Sequence, residues 1–447
     1  MIPVHKEFSN GLKLVYEHNT DNITSVNLFV EVGSLNESPD LHGASHFIEH
    51  MLFKGTKKLP ETKMISSVFD KIGAFINAHT FINYTCYVSK FESGYFDICF
   101  NTLVDMLLNS LFKRADFDLE KNVIVEEIKR QMDNTEAFIS TKIYNLLFNN
   151  TDVGKSIGGT PDTVLNLEYQ QVVDYYKYFY KPANIIVSIC SNLSFDEIVN
   201  KIAVSELIKN DTSDIVYNYL PNYAITKNSI RNIRFFDRDL EQIHMSLGFK
   251  VCDMYNDDKY SLDILRIILS GNMSSILFSS LREKNGLTYN ISIDNTLFKK
   301  YGIFAISTSV DRNKLLNFTN KGVINKGALE IIILELNKII KNGITKEQLG
   351  IAKGYYKGIL SLSLEDSSSI TEFNGINVLY KFNESKIALK DLYNTVYADI
   401  TLKNINSVIN KYITGDNIYS YYVGPEKYIT NDNINTIIRI EDSLIHA

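Results

Sequence analysis

Two α+β domains of similar build, related by duplication, are predicted for this chain, each a mixed, mostly antiparallel sheet packed against helices. Three observations predict them. The chain has 447 residues, more than one hydrophobic core usually organises. Short runs of β-branched and aromatic residues alternate with longer amphipathic stretches, as in sheets backed by helices. The same order of elements then recurs after a polar, irregular stretch at residues 208–232, IKNDTSDIVYNYLPNYAITKNSIRN. The expected division is therefore a first domain over 1–207, a linker over 208–232 and a second domain over 233–447.

In the first half, strands are expected at 12–16 and at 25–32, where VNLFVEV alternates apolar and polar residues. Helices are expected over 42–53 and 61–72. AFINAHTFINYTCYVS (74–89) has no proline and predicts a hairpin. Amphipathic spacing predicts helices at 95–111, 117–132 and 168–178, and IIVSIC (185–190) reads as a buried closing strand. In the second half the corresponding stretches are 244–251, 260–269, 290–293, 302–309, 328–340 and 346–360.

Composition narrows the function. Lys and Arg number 46 against 52 Asp and Glu, and this mild acidic balance disfavours a nucleic-acid-coating protein. No apolar run approaches a membrane span, and the start MIPVHKEFSNGLKLVYEH has no signal-peptide pattern, so a soluble, intracellular protein is expected. Cys86, Cys99, Cys190 and Cys252 lack the spacing of thiolate zinc sites and read as buried small hydrophobes.

The strongest chemical signal is HFIEH at residues 46–50. On a helix, His46 and His50 stand one turn apart on one face, where two imidazoles can converge on a single ion. Glu49 borders that face and is placed for general base work on a water. A catalytic zinc takes three protein ligands and keeps one open position, so a third donor must come from elsewhere. LEKNVIVEEIKRQ (119–131) offers Glu120, Glu126 and Glu127. Glu127 shares a face with Ile124 and Ile128, and Glu120 lies two turns earlier on that side. Glu126, four residues before Arg130, has the spacing of an exposed ion pair. A carboxylate on an apolar face needs something to offset its desolvation, which makes Glu127 the candidate ligand and Glu120 its support. Two solvated charges on an ordinary helix are the plainer alternative.

The run HGASHFIEHMLFKGT (His42–Thr56) resembles the pitrilysin family of zinc peptidases, the inverzincins, and is similar to the catalytic subunit of the mitochondrial processing peptidase and its bacterial or viral homologues. GAFINAHTFINYTCYV (73–88), GKSIGGTPDTV (154–164), YYKYFYKPANIIVSICSN (175–192) and SGNMSSILFSSLREKNGLTYNIS (270–292) resemble later blocks of that family. The resemblance implies one zinc per chain on His46, His50 and Glu127, with Glu120 supporting them and Glu49 as catalytic base. It also implies that a peptide substrate adds as a strand along residues 75–80, that Asn77 contacts it, and that Arg282 and Tyr289 orient it. A glycine-rich loop carried by non-catalytic subunits has no evident counterpart, and His79 is not expected to bind zinc.

The expected function is hydrolysis of peptide bonds in unfolded peptides or precursor segments. A chain with half the domains of the family's closed chamber implies a homodimer, or a heterodimer with a homologous subunit, with Arg282 and Tyr289 serving the partner's zinc. The alternative is a catalytically silent structural or peptide-binding homologue.

Overall fold

A computed structural model describes residues 2–208, 217–224, 232–382 and 386–445. Most of the expected linker thus lies outside the described residues. The described chain forms two compact units.

The first unit is built on a six-stranded sheet. Its strands are β1 (Val4–Glu7), β2 (Lys13–His18), β3 (Ile23–Val30), β4 (Phe75–Thr80), β5 (Thr85–Glu92) and β6 (Ile185–Ser191), in the order β1-β2-β6-β3-β5-β4. Only the β2–β6 pairing is parallel; all others are antiparallel. β6 is buried along its whole length, as IIVSIC predicts for a central strand. Among the described residues β4 is an edge strand, paired only with β5.

Four helices follow the expected spacing: α1 (Ala44–Leu52), α2 (Thr62–Asp70), α3 (Phe96–Asn109) and α4 (Arg114–Asp133). α1 buries Phe47, Ile48, Met51 and Leu52 completely in the core, which leaves the opposite face for His46 and His50. The helix Tyr169–Phe179 completes the expected set in this half.

The second unit repeats the plan. β7 (Ile233–Asp237), β8 (Gln242–Val251), β9 (Ile291–Leu297), β10 (Gly302–Asp311) and β13 (Ile418–Gly424) form a sheet in the order β7-β13-β8-β10-β9, and β11 (Phe318–Asn320) pairs with β12 (Val323–Asn325) as a separate hairpin. Taken in chain order within each unit, β2-β6-β3-β5-β4 and β7-β13-β8-β10-β9 are one topology. In both, the first strand pairs in parallel with the last and every other pairing is antiparallel. The duplication expected from the recurring pattern is present at this level.

The units are not contiguous in sequence. The first comprises 1–130, 155–222 and 360–392; the second comprises 131–154, 223–359 and 393–447. Division by packing therefore departs from division by chain order in two exchanged segments. Helix α5 (Thr135–Leu147), from the first half, packs on β8 and β13, while the helix Ser367–Leu379, from the second half, packs on β6, β3 and β2. Glycines admit both. A Cβ on Gly375 would lie 2.1 Å from the Phe29 ring, and one on Gly248 would lie 2.8 Å from Leu147.

The helix Ser367–Leu379 is held by polar groups as well. Ser25 Oγ and Ser367 Oγ are 2.7 Å apart, Ser188 Oγ donates to Thr371 O at 2.7 Å, and Asn374 Nδ2 donates to Glu17 Oε2 at 2.9 Å.

Residues Asp258–Glu283 are long and apolar enough to cross a membrane. The backbone turns extended at Asn272 (φ −154°), however, and splits the stretch into two shorter helical pieces.

The exchange makes a prediction. A fragment of residues 1–207 lacks the helix Ser367–Leu379 and is expected to lose the cooperative thermal transition of the full chain. Adding a peptide of residues 360–392 should restore part of it. A fragment of 1–207 that melts cooperatively at the full-length midpoint would contradict the exchange.

Candidate metal centre

The centre is assembled on α1 and α4. α1 begins at Gly43, whose φ of +99° suits glycine and whose missing Cβ would lie 2.9 Å from Gly158 O. From there His46 and His50 rise on one face, with ring centroids 4.6 Å apart at 74°. α4 buries Phe117, Glu120, Ile124, Val125 and Ile128 and carries Glu127 on the same side, partly exposed. Glu126 points to solvent and pairs with Lys129 at 2.8 Å, one residue short of the Arg130 that i,i+4 spacing predicts.

His46 Nε2 and His50 Nε2 are 3.3 Å apart, and Glu127 Oε2 lies 3.4 Å from His50 Nε2 and 3.8 Å from His46 Nε2. Donors bound tetrahedrally to one zinc at about 2.0–2.1 Å stand about 3.3–3.4 Å from one another. The donor set therefore fits zinc in both chemistry and spacing. Among the described residues, it is the one group of three or more His, Cys, Asp or Glu side chains that converges in this way.

The surroundings orient these donors. Glu120, 2% exposed, sits 2.9 Å from His50 Nδ1 through Oε1 and meets Lys54 Nζ through Oε2. A carboxylate on Nδ1 fixes the tautomer that leaves Nε2 for a metal. Glu49 is partly buried, and its Oε2 accepts a hydrogen bond from Thr80 Oγ1 at 2.5 Å. Thr80 closes β4, so the base is tied to the edge strand.

Two residues of this environment were not legible in the sequence. Lys54 stands one turn after His50 on the way out of α1 but has no motif of its own. Glu37 lies before the helix and accepts from Gly43 N and Ser45 N, each at 2.7 Å.

Titration follows the geometry. Burial, then the neighbouring His50, holds His46 down to about 4. Burial also opposes charge on His50, but hydrogen bonds to Glu120 and Glu127 outweigh it and push the ring up to about 9. Burial raises Glu49 against the Thr80 hydrogen bond. Burial likewise opposes charge on Glu120, but His50 and Lys54 bring its pKa below the usual range, and the His50 hydrogen bond does the same for Glu127 despite burial.

The other expected site residues lie apart from this cluster or in the second unit. Asn77 is on β4, exposed, with its Oδ1 accepting from Ala78 N at 2.9 Å. His79, also on β4, is outside the donor group and packs edge-on against Tyr84 at 5.8 Å. In the second unit, Arg282 and Tyr289 are paired with each other. The guanidinium lies 4.4 Å from the Tyr289 ring centroid and donates to Tyr289 O at 3.0 Å, and the ring is 79% exposed. The four cysteines are buried and free, as expected.

The His50 shift makes a prediction about metal loading. In metal-free protein the proton to be displaced sits on His50, whose pKa is raised, so its charge persists below about 9 and is lost above. Apparent zinc affinity, measured by chelator competition, should rise about tenfold per pH unit from pH 7 toward 9 and then flatten. A profile flat across that range would show that His50 is already neutral.

Residues 13–161 match the family model described as Insulinase (Peptidase family M16), and residues 166–355 match the Peptidase M16 inactive domain. An uncharacterised zinc protease of Bacillus subtilis, YmxG, is 29% identical over 410 residues, covering 91% of this chain and 95% of that protein. An uncharacterised zinc protease of Rickettsia bellii is 30% identical over 426 residues, covering 94% and 97% respectively. The crystal structure of a protease from Helicobacter pylori superposes with a TM-score of 0.83 at 21% identity, over 95% of this chain and 100% of that one. The two matched models together span most of the sequence, so this chain belongs to the insulinase family of peptidases, M16.

Proposed function

We propose that the protein is a zinc-dependent endopeptidase that hydrolyses peptide bonds in unfolded peptides or precursor segments. One observation carries the reading: Glu49 stands beside the convergent donors of His46, His50 and Glu127, with its carboxylate anchored to the end of an edge strand. Zinc held by these three residues supplies Lewis-acid activation of water and of the scissile carbonyl. Glu49 takes a proton at its carboxylate during attack and returns it to the leaving amine. Thr80 fixes the Glu49 rotamer, and partial burial, by raising its pKa, suits it to hold that proton. Glu120 keeps His50 Nε2 directed at the ion through its contact with Nδ1.

Substrate binding follows from sheet topology. β4 uses one side for β5, and its other side offers main-chain donors and acceptors to a peptide strand. Such pairing is tolerant of sequence, and side chains on β4, Asn77 among them, meet the substrate's. The paired Arg282 and Tyr289, with an exposed ring and a guanidinium, are suited to a substrate carbonyl. We assign them to substrate bound at a partner chain's zinc, in a homodimer or a heterodimer with a homologous subunit. A catalytically silent homologue is the second reading, favoured by the match of residues 166–355 to a domain described as inactive. The intact set His46, Glu49, His50 and Glu127 favours the enzyme.

Turnover of an unstructured quenched-fluorescent peptide library by zinc-loaded protein tests the proposal. Glu49→Gln should lower the rate about 10²–10⁴-fold with zinc content unchanged, and chelation should abolish turnover reversibly. No turnover from a folded, zinc-containing dimer would favour the silent homologue. Mixing Arg282→Ala chains with Glu49→Gln chains should restore part of the activity; its absence in verified heterodimers would reject action across the dimer.

A further inference from the structure

The start of α1 is the weak point of the centre. The first intrahelical hydrogen bond runs from Phe47 N to Gly43 O at 3.0 Å, so the amides of residues 44–46 have no partner within the helix. His46 is in that unsupported turn, whereas His50 stands a full turn inside. Helix starts are usually secured by a capping side chain, but the residue here is glycine, required by its φ of +99° and by the nearness of Gly158 O. The cap must therefore come from elsewhere. Glu37, 2% exposed, supplies it: Oε2 accepts from Gly43 N and Oε1 from Ser45 N, each at 2.7 Å. A negative charge at a helix N-terminus is also the favoured sign.

The loop that carries Glu37 is itself braced. Leu35 N donates to Ile82 O at 2.8 Å, and a Cβ on Gly33 would lie 2.1 Å from Phe81 O. Phe81 and Ile82 directly follow Thr80, the residue that donates to Glu49. The end of β4 and the turn after it thus hold α1 at two points, through Thr80 on Glu49 and through the 33–37 loop on the helix start.

We propose that Glu37 is a positioning residue for the metal centre, clamping the first turn of α1 so that His46 presents Nε2 at a fixed place relative to the substrate edge. The inference rests on the zinc reading above. Its role is to act through His46 rather than to touch metal or substrate. Removing one of its two acceptor oxygens should let the first turn fray and take His46 with it, while His50, Glu120 and Glu127 keep their places.

Glu37→Gln keeps the size of the side chain but presents an amide NH2 to one of the two backbone donors. Zinc affinity, measured by chelator competition at fixed pH, should fall about 10–100-fold. The absorption spectrum of the cobalt-substituted protein should change, and kcat should fall more than KM rises. Leu336→Ala, a cavity in the second unit, serves as a stability control and should leave zinc affinity unchanged at a comparable loss in melting temperature. If Glu37→Gln does not fold, Glu37→Asp, which keeps the charge but retracts it from one amide, is read by the same criterion and should give a smaller loss. Wild-type protein that binds no zinc would refute the zinc reading itself. Wild type that binds zinc while a folded Glu37 variant binds it within twofold would refute the clamp alone.

Discussion

Everything at the centre depends on burying a carboxylate without leaving it unpaired. Glu120 is withdrawn almost completely from solvent, and an uncompensated buried charge costs about 3–5 kcal/mol. His50 and Lys54 together remove that cost, one at each oxygen. Their positions are then no longer free. α1 must approach α4 with His50 turned so that Nδ1 faces Glu120 and Nε2 faces outward, toward Glu127. The donor triangle is thus a by-product of satisfying one desolvated acid, and the apolar face of α1, locked into the core by Phe47, Ile48, Met51 and Leu52, prevents the helix from relaxing away.

The same economy appears at Glu37. Glycine is required at the helix start because backbone from residues 158–159 passes close by, and that requirement removes the usual cap. A buried acid from the preceding loop fills the gap. Burial pushes Glu37 up to about 7, opposed by the amides of Gly43 and Ser45. Two buried carboxylates therefore bracket α1, one at its first turn and one behind its second histidine, and each is tolerated only because the helix supplies it with donors.

The legibility of the chain in sequence follows physical lines. α1 and α3 have wide apolar faces, and β3 and β6 have dense β-branched runs, so their periodicity exposes them. The convergent donor group was legible because HxxEH places two imidazoles a turn apart, and Glu127 because it interrupts an apolar face. The exchanged helices were not. Ser367–Leu379 buries Ser367, Thr371, Asn374, Gly375 and Asn377 along with only a few aliphatic residues, so no apolar stripe marks the face that docks. β7 and β13 were missed too; β13 carries three tyrosines and two serines or glycines in seven residues, a pattern that alternation does not single out. Glu37 was invisible because its importance lies in backbone amides it reaches across a turn, which no spacing rule encodes. Local periodicity reports what a segment buries, and it is silent on which sheet receives it.

That silence concerns the most unusual feature of the fold. In the first unit the borrowed helix brings the glycine to the sheet's phenylalanine; in the second the sheet brings the glycine to the borrowed helix's aliphatics. Each helix comes from the other half of the chain, and the two pack on topologically equivalent strands of their units. The arrangement is the one that domain swapping gives between two like chains, here realised within a single chain. A duplicated protein normally lets one copy drift once the other carries the chemistry. Here the half without the donor group still provides a helix for the sheet of the unit that holds it, so a change in that helix bears on the centre from outside its own half of the chain.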